Sequence, residues 1–318
     1  MPQQIGNTMK SWKRTGTNHS RRAFLRGGAL MLGGLLVGRP AWAEAGTKRP
    51  ALRVGMIADV HHADYPSRGR PGGPDNLNLY RQSMEKFREA VGKFKDEKPD
   101  FVVELGDFID KAETLEEETE HLRNIEKVYA EVPCERHYVL GNHCVDALIK
   151  DEFFDITEAR APHYSYDAGG FHFVVLDSCF TEELEPYGRS NWDWTNANLP
   201  PEQLAWLEKD LARTGLPTIV LAHQRLDGDT RYDVRNAGAA RKIMTESGKV
   251  VAVFQGHSHR NDYRQVDGIH YVTLVAVVAG HGRENSGYAI VSFYDDASIQ
   301  IDGFRLQQDL AIPAATGS

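Results

Sequence analysis

Six short apolar runs in this chain each end at a polar cluster, and that rhythm restricts the fold more than any other feature of the sequence. The runs span residues 52–58, 101–105, 137–140, 171–176, 218–222 and 250–254. They are too short for buried helices and rich in Val, Ile and Phe, so each reads as a strand buried on both faces. Residues 79–95, 115–130, 201–213 and 234–247 carry apolar residues at helical spacing with a polar opposite face. Pro200-Pro201-Glu202-Gln203 opens the third of these helices, and Trp206, Leu207 and Leu211 give it an apolar side. Such alternation predicts an α/β fold. Beyond Gly256 the helical signals stop. Residues 263–266, 269–276, 288–293 and 298–304 read as successive strands, an antiparallel sheet over the C-terminal third.

The first residues obey a different logic. Ser20-Arg21-Arg22-Ala23-Phe24-Leu25 precedes a glycine-rich apolar run at 27–38 and then Ala41-Trp42-Ala43, the order of a cleavable export signal. The paired arginines resemble the twin-arginine type, which takes proteins across a bacterial membrane already folded. The apolar run falls short of the ~20 residues that a spanning helix needs. The expectation is therefore a signal peptide at 1–43, a linker at 44–50, one catalytic domain at 51–308 and a frayed tail at 309–318. It implies the twin-arginine export machinery as a partner, a periplasmic or secreted location, and no stable membrane insertion of the mature protein.

Lys and Arg number 37 against 45 Asp and Glu, a net charge of −8. The first 43 residues hold seven basic residues and no acid, so the chain beyond residue 43 is more acidic still. An acidic surface repels polyanions, which argues against nucleic acid as a partner. A small phosphorylated substrate would need bound cations to offset that repulsion. Cys134, Cys144 and Cys179 make an odd count without paired spacing, so no disulfide framework is indicated, although one Cys134–Cys179 bridge stays open.

The chemistry sits at the strand ends. Asp59 and His61 come after the first run, and alternation in an extended segment puts them on one side, where both can reach one ion. Gly106-Asp107-Phe108-Ile109-Asp110 comes after the second run, Gly141-Asn142-His143 after the third, His223 after the fifth, and Gly256-His257-Ser258-His259 after the sixth. Glycine before Asp107 and Asn142 suits tight turns. All five motifs fall where open α/β sheets bind ligands. Two stretches, 63–78 and 180–199 (the latter with Trp192 and Trp194), are long enough connections to suggest a functional role.

In this order the motifs D-x-H, GD-x-x-D, GNH, a lone H and GH-x-H resemble the calcineurin-like metallophosphoesterases. The resemblance runs through nearly all of the chain after residue 43. It implies a four-layer αββα fold, a central β-sandwich of two mixed sheets flanked by helices. It also implies that Asp59, His61 and His259 hold one ion, that Asn142, His223 and His257 hold a second, and that Asp107 bridges them. Mixed carboxylate, imidazole and amide donors suit divalent or mixed-valence Mn, Fe or Zn. Two ions ~3.5–4 Å apart bind phosphoryl oxygens and activate a water for in-line attack, so the implied reaction is direct hydrolysis. His143 is then the general acid at the leaving oxygen. Ile57-Ala58-Asp59 with Ala63-Asp64, Tyr80-Arg81, the run Phe173 to Asp177 and Gln203-Leu204-Ala205-Trp206-Leu207 look like the manganese-dependent ADP-ribose/CDP-alcohol diphosphatase group.

Two positions depart from these patterns. The family usually has an acid directly after GNH where this chain has Cys144, so another acid, Asp146 among the candidates, would have to orient His143. A thiol nucleophile or redox role is the other reading of Cys144, against a simple buried residue. The diphosphatase group has an amide where this chain has His61. For substrate contacts the candidates are Arg81, Arg225 and His281, with His62 and Tyr187 behind them, arginine having the best geometry for phosphate. The expected function is hydrolysis of phosphodiester or pyrophosphate bonds in small nucleotide-like substrates. The alternatives are an alkaline-phosphatase-like phosphomonoesterase or a non-catalytic metal- or phosphate-binding protein.

Overall fold

The computed structural model describes residues 48–69 and 77–314; the expected signal peptide lies outside them. The first half runs β1 (Leu52–Ile57), β2 (Arg68–Gly69), β3 (Leu77–Asn78), α1 (Tyr80–Glu97), β4 (Phe101–Glu104), α2 (Leu115–Tyr129), β5 (Glu135–Tyr138), α3 (Lys150–Thr157), β6 (Tyr164–Ala168) and β7 (Phe171–Val175). The second half runs α4 (Pro201–Arg213), β8 (Thr218–Leu221), α5 (Ala237–Ser247), β9 (Val250–Gln255), β10 (Asp262–Val266), β11 (Ile269–Thr273), β12 (Gly287–Phe293), β13 (Ile299–Arg305) and β14 (Leu310–Ile312). The six expected strands and four expected helices all form.

Two six-stranded mixed sheets result, in the orders β14-β13-β12-β1-β4-β5 and β10-β11-β9-β8-β7-β6. β1, β4 and β5 run parallel, as do β7, β8, β9 and β11. Side-chain alternation divides each central strand between two cores. Val54 and Met56 of β1, Phe101 and Val103 of β4, Phe173 and Val175 of β7 and Phe254 of β9 pack together in one cluster between the sheets. Ile57 and Val102 turn outward to meet Phe87, Phe94, Leu122 and Ile125 of α1 and α2. Val174, Val220 and Val253 turn to the opposite outside, against Leu207 and Leu211 of α4 and Met244 of α5. The layers are therefore helix, sheet, sheet, helix. Burial of a Leu, Val or Phe side chain is worth about 1.5–3 kcal/mol, and these strands bury both faces.

Local chemistry sets the helix ends. The Thr114 side chain accepts from the Glu117 N–H at the start of α2, where Glu116, Glu117 and Glu118 also complement the helix dipole. Lys98 after α1 and Gly248 after α5 take left-handed conformations that terminate them.

Three expectations change. The C-terminal strands do not form one antiparallel sheet: β10 and β11 pair antiparallel, but β11 joins β9 in parallel, while β12, β13 and β14 cross to the other sheet with β12 beside β1. Turn signals report only hairpin partners, whereas sheet membership depends on which long-range edge buries the strand. The tail does not fray at 309: Leu310–Ile312 pairs with β13, and Ile312 is buried between the sheets. Finally, α3 and β6 were not foreseen. Their sequences, KDEFFDIT and YSYDA, are short and polar, and the residues of β6 are exposed or only half-buried.

Candidate metal centre

Every motif leaves the C-terminal end of a parallel strand, so β1, β4 and β5 of one sheet and β8 and β9 of the other deliver their polar residues to one end of the sandwich. The turns are laced to each other through the backbone. The Asp59 N–H donates to Gly106 O at 3.0 Å, His61 N–H to Asp107 O at 2.8 Å and Gly256 N–H to His223 O at 3.0 Å. The His257 N–H reaches the Asp59 carboxylate at 3.1 Å and ties the two sheets together. Asp59, His61, Asp107, His257 and His259 all have positive φ, between 47° and 65°. Non-glycine residues avoid this left-handed region at a cost of order 1–3 kcal/mol each. Gly106, at φ 98°, could carry no side chain because a Cβ there would strike the His223 ring. Gly141 has ordinary φ, and its role is room: a Cβ would collide with Asp107.

The donor atoms converge. One oxygen or ring nitrogen each from Asp59, His61, Asp107 and His259 lies within 4.8 Å of the others, and the same holds for Asp107, His223 and His257. Asp107 belongs to both sets. Its Oδ2 is 3.4 Å from His61 Nε2 and 3.1 Å from His223 Nε2. His259 Nε2 lies 3.0 Å from His61 Nε2 and 3.3 Å from Asp59 Oδ1. Asn142 is fully buried; Gln224 Nε2 lies 3.4 Å from its Oδ1, and its Nδ2 has no partner.

Hydrogen bonds behind the cluster orient the rings. His61 Nδ1 bonds to Asp110 Oδ2 at 2.7 Å and His223 Nδ1 to Leu105 O at 2.8 Å, which directs both Nε2 lone pairs inward. His257 is the reverse: its Nε2–H donates to Trp194 O at 3.2 Å, leaving Nδ1 to face His223 Nε2 at 3.3 Å. His61, Asp110 and His143 also approach within 4.8 Å, but His61 spends Nδ1 on Asp110, so this trio is an orienting relay rather than a third set of donors. Carboxylates, imidazoles turned nitrogen-inward and a buried amide suit a pair of borderline divalent ions.

The electrostatics reflect burial set against close countercharge. Burial alone would lower His61, but Asp107, Asp110 and Asp59 outweigh it and hold the ring at about 10. Burial likewise opposes the proton on His223, which Asp107 nevertheless raises above its ordinary value. His257 goes the other way, to about 3, because burial and neighbouring His223 both disfavour its cation. Burial would raise Asp110, yet His143 and His61 bring it well below the usual carboxylate range.

His143 lines a cavity of about 270 Å³ together with His61, Asp107, Asn142, His257 and His259. Its Nδ1 is 3.3 Å from Asp110 Oδ2, an electrostatic contact at that length rather than a well-made hydrogen bond. Asp110 therefore stands where Asp146 was expected; Asp146 instead accepts from Ser190 N–H through its backbone carbonyl. The spacing Asp107-x-x-Asp110 was visible in the sequence and was the signal for it. Cys144 is fully buried in the core under α1 and α2, its sulfur accepting from Phe108 N–H at 3.4 Å, and burial pushes its thiol well above the usual range. All three cysteines are free, so the Cys134–Cys179 bridge does not form.

The expected substrate contacts do not reach this cavity. Arg225 is buried and engaged by Asp227 and Asp262, at 2.5 and 2.6 Å. Arg81 pairs with Asp64 at 2.5 Å and, with His62, lines a separate outer hollow. His281 is exposed on a loop, and the Tyr187 hydroxyl is occupied by Asp193 O and Asn196 O. The cavity is lined instead by Arg68, Arg231 and Arg260 with Tyr80, Trp192, Trp194 and Tyr232. The long connection 180–199 pointed to the tryptophans, but no motif marks the arginines.

Known proteins share the family and the fold. Residues 52–261 match the family model of the calcineurin-like phosphoesterases. A dimetal phosphatase from Danio rerio superposes with a TM-score of 0.72 at 20% identity, covering 84% of this chain and 100% of its own. A Thermus thermophilus protein gives 0.51 at 11% identity, covering 80% and 99%. A purple acid phosphatase from yellow lupin seeds gives 0.50 at 16%, covering 82% of this chain and 54% of its own. Among curated proteins none matches the sequence significantly. The likenesses to solved structures carry the fold, and the family match runs from β1 to the residues just after the last histidine pair; this protein belongs to the calcineurin-like phosphoesterases and is a metal-dependent phosphoesterase.

Proposed function

We propose that the protein works outside the cytoplasm as a two-metal hydrolase of phosphodiester or pyrophosphate bonds in small nucleotide-like molecules, in the manner of the ADP-ribose/CDP-alcohol diphosphatases it resembles. The observation that carries this reading is Asp107, the one carboxylate common to both donor sets. In it Asp59, His61 and His259 would hold one ion, Asn142, His223 and His257 the other, and Asp107 would serve both. Manganese, iron or zinc, if bound there, would supply Lewis-acid charge and activation of a water. His143, on the cavity wall, delivers a proton to the leaving oxygen, and Asp110 holds its Nδ1 and offsets the imidazolium charge. Asp110 thereby supplies what Cys144 cannot, which favours an enzyme over a binding protein. Trp192 on the wall provides flat apolar surface for a base or sugar.

The test is turnover of bis(4-nitrophenyl) phosphate and 4-nitrophenyl phosphate by protein stripped with chelator and reloaded with Mn²⁺, Fe²⁺ or Zn²⁺. The diester should be cleaved faster, and only after reloading. Faster cleavage of the monoester would make the protein a phosphomonoesterase, and no turnover with any ion would defeat the reading. Export is tested separately: Arg21→Lys/Arg22→Lys should strand the full chain in the cytoplasmic fraction of a bacterial host.

A further inference from the structure

Most arginines with close neighbours in this acid-rich protein are neutralised. Arg53 pairs with Glu97, Arg189 with Glu152, Arg283 with Glu85 and Arg305 with Glu89, each within 2.8 Å. Arg68, Arg231 and Arg260 are different: all three line the cavity over the metal cluster, all are exposed, and among the described residues none has a carboxylate within 4.0 Å. Three unpaired guanidinium groups at one rim repel each other unless an anion is between them.

Arg231 is the best positioned. Its Cζ lies 5.0 Å from the centroid of the Trp194 ring and 5.1 Å from that of Tyr232, so two aromatic faces hold it by cation–π attraction. One guanidinium nitrogen donates to the Tyr232 hydroxyl at 3.2 Å, and most of its five donors remain for a ligand. Both rings abut His257, with centroids 6.0 and 6.1 Å from the imidazole. Trp194 also lends its carbonyl to His257 Nε2, which fixes this platform to the metal cluster at His257.

We propose that Arg231 and Arg260, with Arg68, form a subsite for a second phosphate, one linkage beyond the phosphate that is cleaved, and so select substrates with two adjacent phosphates over simple diesters. This deepens the hydrolase reading, whose open choice between phosphodiester and pyrophosphate it decides, and rests on that site. The paired donors of arginine match a phosphate edge. The same cavity of about 270 Å³ is lined by the inward-facing histidines and by all three arginines, so a phosphate at the metal cluster has guanidinium groups in the same enclosure.

Equilibrium binding tests this without turnover. Isothermal titration of manganese-loaded protein with α,β-methylene-ADP and with AMP, in equal excess Mn²⁺, should show the diphosphate binding at least about ten-fold tighter, as expected for one charge-assisted bidentate contact. Arg231→Gln/Arg260→Gln should cut that ratio to about two-fold or less, and Arg231→Lys, which keeps the charge but loses the fork, should give an intermediate ratio. Equal affinities in the unmodified protein, or a ratio that survives the double substitution, would overturn the subsite. Absence of phosphoester turnover would defeat the hydrolase reading and leave this comparison standing.

Discussion

Asp110 serves two histidines with one carboxylate, 2.7 Å from His61 Nδ1 and 3.3 Å from His143 Nδ1. Replacing it therefore disturbs two properties at once. Asp110→Asn should weaken metal binding by about 10–100-fold through His61 and lower kcat by ~10²-fold or more through His143. Asp146→Asn should leave both near their original values; metal titration and steady-state kinetics distinguish the two residues. Cys144 gives the opposite expectation. A thiol sealed in the core and held protonated by burial is no nucleophile. Cys144→Ser should keep kcat within about two-fold while costing roughly 1–3 kcal/mol for a buried hydroxyl, read from urea unfolding.

At the level of elements, α1 braces the first motif from a distance. Lys86 is buried, and its ammonium donates to the carbonyls of Val277, Ala279 and Gly280 at 3.1, 2.7 and 2.7 Å. The N–H groups of Val277 and Val278 in turn donate to Ala58 O and Asp59 O. Lys86→Met leaves three carbonyls unmatched and should cost several kcal/mol, with weaker metal retention as a second readout in dialysis against chelator. Strand β5 carries a pH sensitivity. His137 stacks on Tyr166 at 4.1 Å, and burial, aided by Arg160, pushes its pKa down to about 3. The folded state keeps this ring neutral while the unfolded chain protonates it below about 6.5. Its contribution is thus intact above that pH and drains away as pH falls, by roughly 3 kcal/mol at pH 4.5. In urea titrations, His137→Gln should flatten the loss of stability between pH 6.5 and 4.5.

For the molecule as a whole, the sheet pairing was the least legible part. Runs such as Phe171–Val175 and Val250–Gln255 declare themselves because strands buried on both faces are continuously apolar. Nothing local says that β12 will lie beside β1 or that β11 will join β9 in parallel, since those choices are settled by burial across the sandwich. The metal cluster was legible for a related reason: its residues occupy strand ends, whose order is written along the chain. The arginine rim comes from loops that meet only after folding. Strand β14 extends this lesson, and deleting residues 310–318 should expose the β13 edge and remove Ile312 from the core. A loss of roughly 2–3 kcal/mol from that one side chain, visible as a lower melting temperature, is the expected result.

The left-handed backbone at Asp59, His61, Asp107, His257 and His259 sets the fold against its own purpose. A search for thermal stability alone would discard these side chains first, because glycine or asparagine relieves the conformation. His259→Asn, which puts a residue at ease in the left-handed conformation where an imidazole now crowds His61 at 3.0 Å, should melt at a higher temperature than the unmodified protein when both are stripped of metal, while losing metal-dependent turnover. Durability and usefulness are opposed at the same five residues, so variants selected only for heat resistance would drift toward inactive shells of the same shape.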